Sequence, residues 1–110
     1  MTPIKRDWLV RLEIIVASRL KDPTFSVAKL AIALDLSHTQ LFRKMKKELG
    51  QTPSAYIREK RLLAAKTILE KGRTGSVKAT ATEVGLRDVE HFSRLFKGRF
   101  GRLPSSYFGE

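Results

Sequence analysis

The sequence predicts an all-α protein of about seven helices. Apolar residues recur at helical spacing along nearly the whole chain, alternating strand-like runs are nearly absent, and most apolar runs sit between a capping residue and a glycine or proline. At 110 residues the chain is the size of one domain. A hydrophobic share of 42% beside 30% charged residues suits a soluble globular fold rather than a disordered tail.

The first helix is expected from about Ile4 to Leu20, opened by Thr2 and Pro3, with Trp8, Leu12, Ile15 and Val16 on one stripe. Lys21-Asp22-Pro23-Thr24 then forms a turn, because proline and the residue before it resist helix. Ser26 caps a short helix carrying Val27, Leu30, Ala31 and Leu34, with Phe25 and Leu30 placed as a hydrophobic staple. Ser37 caps a third helix, and Gln40, three residues on, completes a capping box. Gly50 ends that helix. Thr52-Pro53 starts a long fourth one, Ser54 to about Lys71, since proline is favoured at the first helical position. Gly72 and Gly75 bracket a joint. Ser76 opens a fifth helix up to Gly85, Asp88 caps a sixth up to Gly101, and Pro104 starts a last short turn.

The chain also repeats itself. At an offset of 50, Ser26, Val27, Ala31 and Leu36 recur as Ser76, Val77, Ala81 and Leu86. After one inserted residue, Arg43, Lys46, Gly50, Pro53, Ser54 and Tyr56 recur as Arg94, Lys97, Gly101, Pro104, Ser105 and Tyr107. The core set repeats by type, Leu41, Met45 and Leu49 answering to Phe92, Phe96 and Phe100. Each copy reads as helix, tight turn, second helix, the outline of a helix-turn-helix unit. One domain, 1–110, thus divides into a first unit (4–52), a linker helix (53–71) and a second unit (76–108).

Lys and Arg number 22 against 11 Asp and Glu, a formal charge of +11, which favours a polyanionic partner. Without cysteine there is no disulfide framework, thiolate metal site or cysteine nucleophile. No apolar stretch is long enough to span a bilayer, so no membrane segment is expected. Neither a phosphate-binding glycine loop after a strand nor a Ser/His/Asp set is evident, which argues against an enzyme. His38 and His91 lie far apart and make a poor metal site. Neither cofactor nor metal is expected.

At 100° per residue the third helix separates into faces. Leu41, Met45, Leu49 and Phe42 fall on an apolar arc; Thr39, Gln40, Arg43, Lys46 and Lys47 fall opposite, and Lys44 lies off that outer face. The sixth helix repeats the division, Phe92, Phe96 and Phe100 inward and Glu90, His91, Arg94 and Lys97 outward. Such an outer face suits the major groove of double-stranded DNA. Arg43 and Arg94 match the guanine edge, Gln40 adenine, Thr39 a thymine methyl, and Glu90 a cytosine amino group, while Lys46, Lys47 and Lys97 suit phosphates. A fourth helix about 27 Å long would space two such readers across major-groove segments about 34 Å apart.

These segments resemble the AraC/XylS-type DNA-binding domain of bacterial transcription regulators. The resemblance covers residues 8–108 and rests on the Val84-Gly85-Leu86 step, the run Phe92-Ser93-Arg94-Leu95-Phe96-Lys97 ahead of Gly101, and Pro104-Ser105-Ser106-Tyr107. The stretch from Leu41 to Leu62 is similar to output domains of hybrid two-component regulators. A cytoplasmic location is expected because neither a membrane-spanning nor a signal-peptide stretch is evident; the resemblance implies seven helices in two homeodomain-like three-helical units and sequence-specific promoter binding. It further implies a sensory or receiver domain preceding this one, with RNA polymerase among the partners. Its base-reading positions fall on Thr39, Gln40 and Arg43, and on Val89, Glu90, His91 and Arg94. Three positions depart from the pattern, Thr80, Leu86 and Phe108. A hydroxyl at the core-facing Thr80 costs stability unless it bonds back to a helix carbonyl, so the second unit is expected to be the weaker half, firming on DNA.

A competing reading makes the chain a basic module for an anionic membrane surface or an acidic protein. The two separate on raising salt: a sequence-specific binder keeps its preference for a cognate over a scrambled duplex, whereas general adhesion fades for both.

Overall fold

The computed structural model describes residues 3–109, with side chains from Asp7 onward. It contains α1 (Pro3–Arg19), α2 (Val27–Ala33), α3 (His38–Leu49), α4 (Pro53–Glu70), α5 (Val77–Glu83) and α6 (Val89–Phe100), closed by a 3-10 helix, Pro104–Phe108. No strand occurs among the described residues. Side chains of Ser26, Ser37, Thr52, Ser76 and Asp88 each accept a hydrogen bond from the backbone N–H three residues on, so five helix starts sit where capping chemistry places them. Thr2, expected to open the first helix, lies outside the described residues.

Two cores form, and α4 serves both. Trp8, Leu12 and Val16 of α1 pack with Phe25, Leu30, Leu34, Leu41 and Met45 and with Tyr56 and Ile57 from the start of α4. Leu62, Ala65 and Leu69 from its other half pack with Ala81, Val84, Phe92 and Phe96. Burial of each large apolar side chain stabilises by roughly 1.5–3 kcal/mol. The second core is largely aromatic: Phe96 lies 5.8 Å from Phe92, 4.7 Å from Phe100 and 5.9 Å, edge-on, from Tyr107. Thr80 is fully buried there. Its hydroxyl donates to the Ser76 carbonyl at 2.9 Å and lies 2.6 Å from the Thr74 hydroxyl. The desolvation cost that the sequence suggested is therefore offset, and with it goes the reason for a weaker second half.

The duplication extends to backbone geometry. Helices α2 and α5 end alike, with Leu36 N–H donating to the Ala31 carbonyl and Leu86 N–H to the Ala81 carbonyl, both at 2.9 Å. Both turns need one left-handed residue. In the first unit it is Asp35, at φ 59°; in the second it is Gly85, at φ 77°. A contact between the units accounts for the difference. A Cβ on Gly85 would overlap the carbonyl oxygen of Leu20 and press on the Arg61 guanidinium. The end of α1 and the α5–α6 turn thus meet backbone to backbone.

Arg61, midway along α4, seals this meeting. It is 7% exposed, and its Nη2 donates to the Asp22 carbonyl at 2.9 Å. Burial pushes its pKa down and the nearby Asp22 carboxylate opposes the shift; an arginine remains charged regardless. At the rim, Lys21 and Glu83 pair across the units at 3.4 Å. Arg99 of α6 grips both carboxylate oxygens of Glu59 on α4, with contacts of 2.8–3.1 Å.

Gly85→Ala should destabilise by about 2–4 kcal/mol, combining left-handed strain with the overlap. Gly50, at φ 71° with open space around it, gives the strain alone, so Gly50→Ala should cost about 1–2 kcal/mol. Urea midpoints of the two variants measure the difference. Glu59 has its pKa lowered, first by the hydrogen bond from Arg99. A carboxylate with a lowered folded pKa contributes stability above its unfolded pKa and loses it as pH falls through the folded one. The stability gap between the parent and Glu59→Gln should therefore be present at neutral pH and close in acid.

Candidate functional site

The sequences of α3 and α6 leave one face of each helix free by burying the other. In α3, Leu41 and Met45 are fully buried and Leu49 packs partly against the same core. Thr39, Gln40, Arg43, Lys46 and Lys47 are consequently exposed. In α6, Phe92 and Phe96 are fully buried, and Glu90, His91, Arg94 and Lys97 are exposed, with Val89 half-buried beside them. Among the described residues no ion pair engages Arg43, Lys46, Lys47, Arg94 or Lys97. Two helices thus carry solvated faces with an excess of positive charge, that of α6 including the acidic Glu90, held by cores on their opposite sides.

One residue of α3 departs from the arc drawn on the sequence, and a second, off the outer face as expected, has a partner that the sequence did not show. Phe42, expected inside, is 44% exposed. It lies at the edge of the apolar arc, beyond the reach of the core that takes Leu41 and Met45. Lys44 instead lies partly buried with its Nζ 5.1 Å from the Trp8 ring centre, a cation–π contact that ties α3 to α1.

Gln40 has a second task. Its side-chain oxygen accepts from the Ser37 N–H at 2.8 Å while its own N–H donates to the Ser37 hydroxyl at 3.1 Å. The amide NH2 group remains available to a partner, but a bidentate contact using its oxygen as well would have to open the capping box. On α6, Asp88 receives the His91 N–H at 3.0 Å, which leaves the His91 ring free of cap duty.

The geometry adds residues of the linker helix that the sequence does not single out. Arg58 of α4 is exposed and lines, with Arg94, Arg99 and Glu59, a cleft of about 730 Å³ between α4 and α6. Arg61 sits under the joint described above. Helical phase places both residues on α4 but says nothing of which helices cross it, so no sequence signal distinguished them from Lys60 or Lys66. Among the described residues no group of three potential metal ligands gathers, and no helix is long and apolar enough to cross a membrane.

A family model described as a helix-turn-helix domain matches residues 30–110. The transcriptional activator RhrA of Rhizobium meliloti is 31% identical over 105 residues, covering 94% of this chain and 32% of that protein. The C-terminal domain of the two-component response regulator yesN from Fusobacterium nucleatum superposes with a TM-score of 0.81 at 29% identity, covering 88% of this chain and 93% of that one. The DNA-binding domain of AdpA, solved in complex with a target DNA, gives a TM-score of 0.78 at 25% identity and 90% coverage of both chains. The chain spans a third or less of the length of the curated relatives it matches.

Gln40→Ala, which removes one arm of the capping box, should cost about 0.5–1 kcal/mol. Ser37→Ala, which removes the other, should cost about 1 kcal/mol. Chemical denaturation of both variants and of the double variant tests whether the two bonds act as one cap: losses that simply add would contradict reciprocal capping.

Proposed function

This chain belongs to the AraC-type helix-turn-helix family, and from that membership we propose that it is the sequence-specific DNA-binding domain of a bacterial transcription regulator. Helices α3 and α6 would enter successive major-groove segments of one duplex. The observation that carries the reading is the repeated outward face: two helices of one duplicated unit, each held by its buried side, each presenting unpaired cations and hydrogen-bonding groups. General adhesion to an anionic surface requires charge but no such repetition.

In this reading Arg43 and Arg94 take guanine edges, Thr39 and the free amide of Gln40 touch neighbouring bases on the first segment, and Val89, Glu90 and His91 do so on the second. Lys46, Lys47 and Lys97 hold phosphates, which position the domain without reading sequence. Successive major-groove segments lie about 34 Å apart, one turn of the duplex, a span shorter than the 48 Å length of the molecule. Neither catalytic chemistry nor a cofactor enters the proposal. The relatives' greater length supports a further expectation: the domain serves as the output end of a longer, cytoplasmic regulator, with a sensory or receiver domain governing it and RNA polymerase as its eventual partner.

Selection of bound sequences from a random duplex pool supplies a cognate site. On that site Arg43→Ala or Arg94→Ala should lose about 1–3 kcal/mol of specific binding and relax the preference at one base position. Lys47→Ala should weaken all duplexes alike and reduce the slope of log affinity against log salt by about one. Unchanged cognate affinity in Arg43→Ala would remove α3 from the reading.

A further inference from the structure

Where the two units meet over α4 there is a second cleft, of about 300 Å³. Its apolar wall is formed by Phe25 from the turn before α2, Ile57 of α4, Leu86 from the turn before α6, and Leu95 of α6. Arg58, Arg61 and His91 supply its polar end, and no acidic residue lines it. Arg61 is more than nine-tenths buried. The hydrogen bond it makes among the described residues goes to a neutral main-chain carbonyl, and its buried Nε has no partner there.

A guanidinium taken out of water, hydrogen-bonded to one neutral carbonyl and with the Asp22 carboxylate acting on it only through space, is under-compensated, and a negative charge brought into direct contact with it is favoured. The opposite wall offers contact only to hydrocarbon. Clefts of this size lie at the small end of those that hold small molecules. Of the two guanidiniums only Arg61 is buried, Arg58 staying exposed at the mouth, so a single negative charge has a buried partner and the second charge of a phosphate monoester would not.

We propose that this cleft binds a small amphipathic carboxylate, its head against Arg61 and Arg58 and its hydrocarbon body along Phe25, Ile57, Leu86 and Leu95. The occupant would rest on both units and on α6 itself, through Leu95 and His91. It would therefore bear directly on the angle at which the second exposed face is held. The inference concerns the cleft alone and is read without DNA, so it stands or falls independently of the proposed function.

Octanoate is the probe, followed by amide resonances of the 110-residue chain, with octanol and inorganic phosphate as probes of the body and the head alone. Saturable shifts are expected at Ile57, Leu86, His91 and Leu95 with octanoate. Octanol and phosphate should each bind at least about tenfold more weakly, the equivalent of one charge-assisted hydrogen bond or more. Arg58→Ala should weaken octanoate binding, and Ser54→Trp, placed on the exposed lip of the cleft, should block it in a chain whose dispersed spectrum shows that both cores are intact. Octanol binding as tightly as octanoate would overturn the anionic site. Shifts scattered over the lysine-bearing surface, or full octanoate binding by folded Ser54→Trp, would overturn the cleft as its location.

Discussion

The backbone contact between Leu20 and Gly85 is the constraint on which the remaining architecture turns. Each unit alone is a small three-helix packing with a short second helix. What makes the pair a single object is α4, whose first half is buried in one core and second half in the other. A shared helix fixes distance but still permits rocking about its axis. The Leu20 carbonyl against a residue without Cβ, with Arg61 packed beneath and Asp22 tied to it, restrains that motion. Two exposed faces restrained in this way would meet a common partner at a smaller ordering cost than two on a slack tether.

Duplication and divergence are both visible in this frame. The caps, the turns and the left-handed positions after α2 and α5 have been kept. The cores have drifted, an aliphatic set with Leu41 and Met45 in the first unit and an aromatic ladder from Phe92 to Tyr107 in the second. Asp35 and Gly85 show how the joint has acted on sequence. Both residues adopt the same left-handed conformation, free of strain for glycine and tolerated by an aspartate that faces solvent. Only glycine serves where another segment's carbonyl presses on the turn.

How much of this was legible in the chain follows from the range of the interactions. Helix starts were readable because a cap and its N–H lie three residues apart, and Ser37 with Gln40 form the box their spacing announces. The inward stripes of α3 and α6 were readable from period alone, and the exposed faces followed as their complements. Phe42 was misplaced because helical phase gives direction but not how far a core extends. The contact of Lys44 with Trp8 is not legible because the two lie 36 residues apart in the chain. Arg61 was hidden in a run, Arg58-Glu59-Lys60-Arg61, that looks uniformly solvated; its burial depends on where α1 ends in space. The left-handed turn shared by Asp35 and Gly85 was equally silent, since nothing local marks Asp35.

The unlikeness of the two outer faces has a consequence of its own. Thr39, Gln40 and Arg43 on one helix and Glu90, His91 and Arg94 on the other are joined at a fixed angle in one chain, with no twofold axis to exchange them. A pair of identical subunits related by a twofold axis can be turned end for end on its target without change; this molecule cannot. It has a head and a tail, so any track that both faces grip together acquires a direction. Whatever is attached to one end of the protein is then always delivered to the same side of the place where it lands.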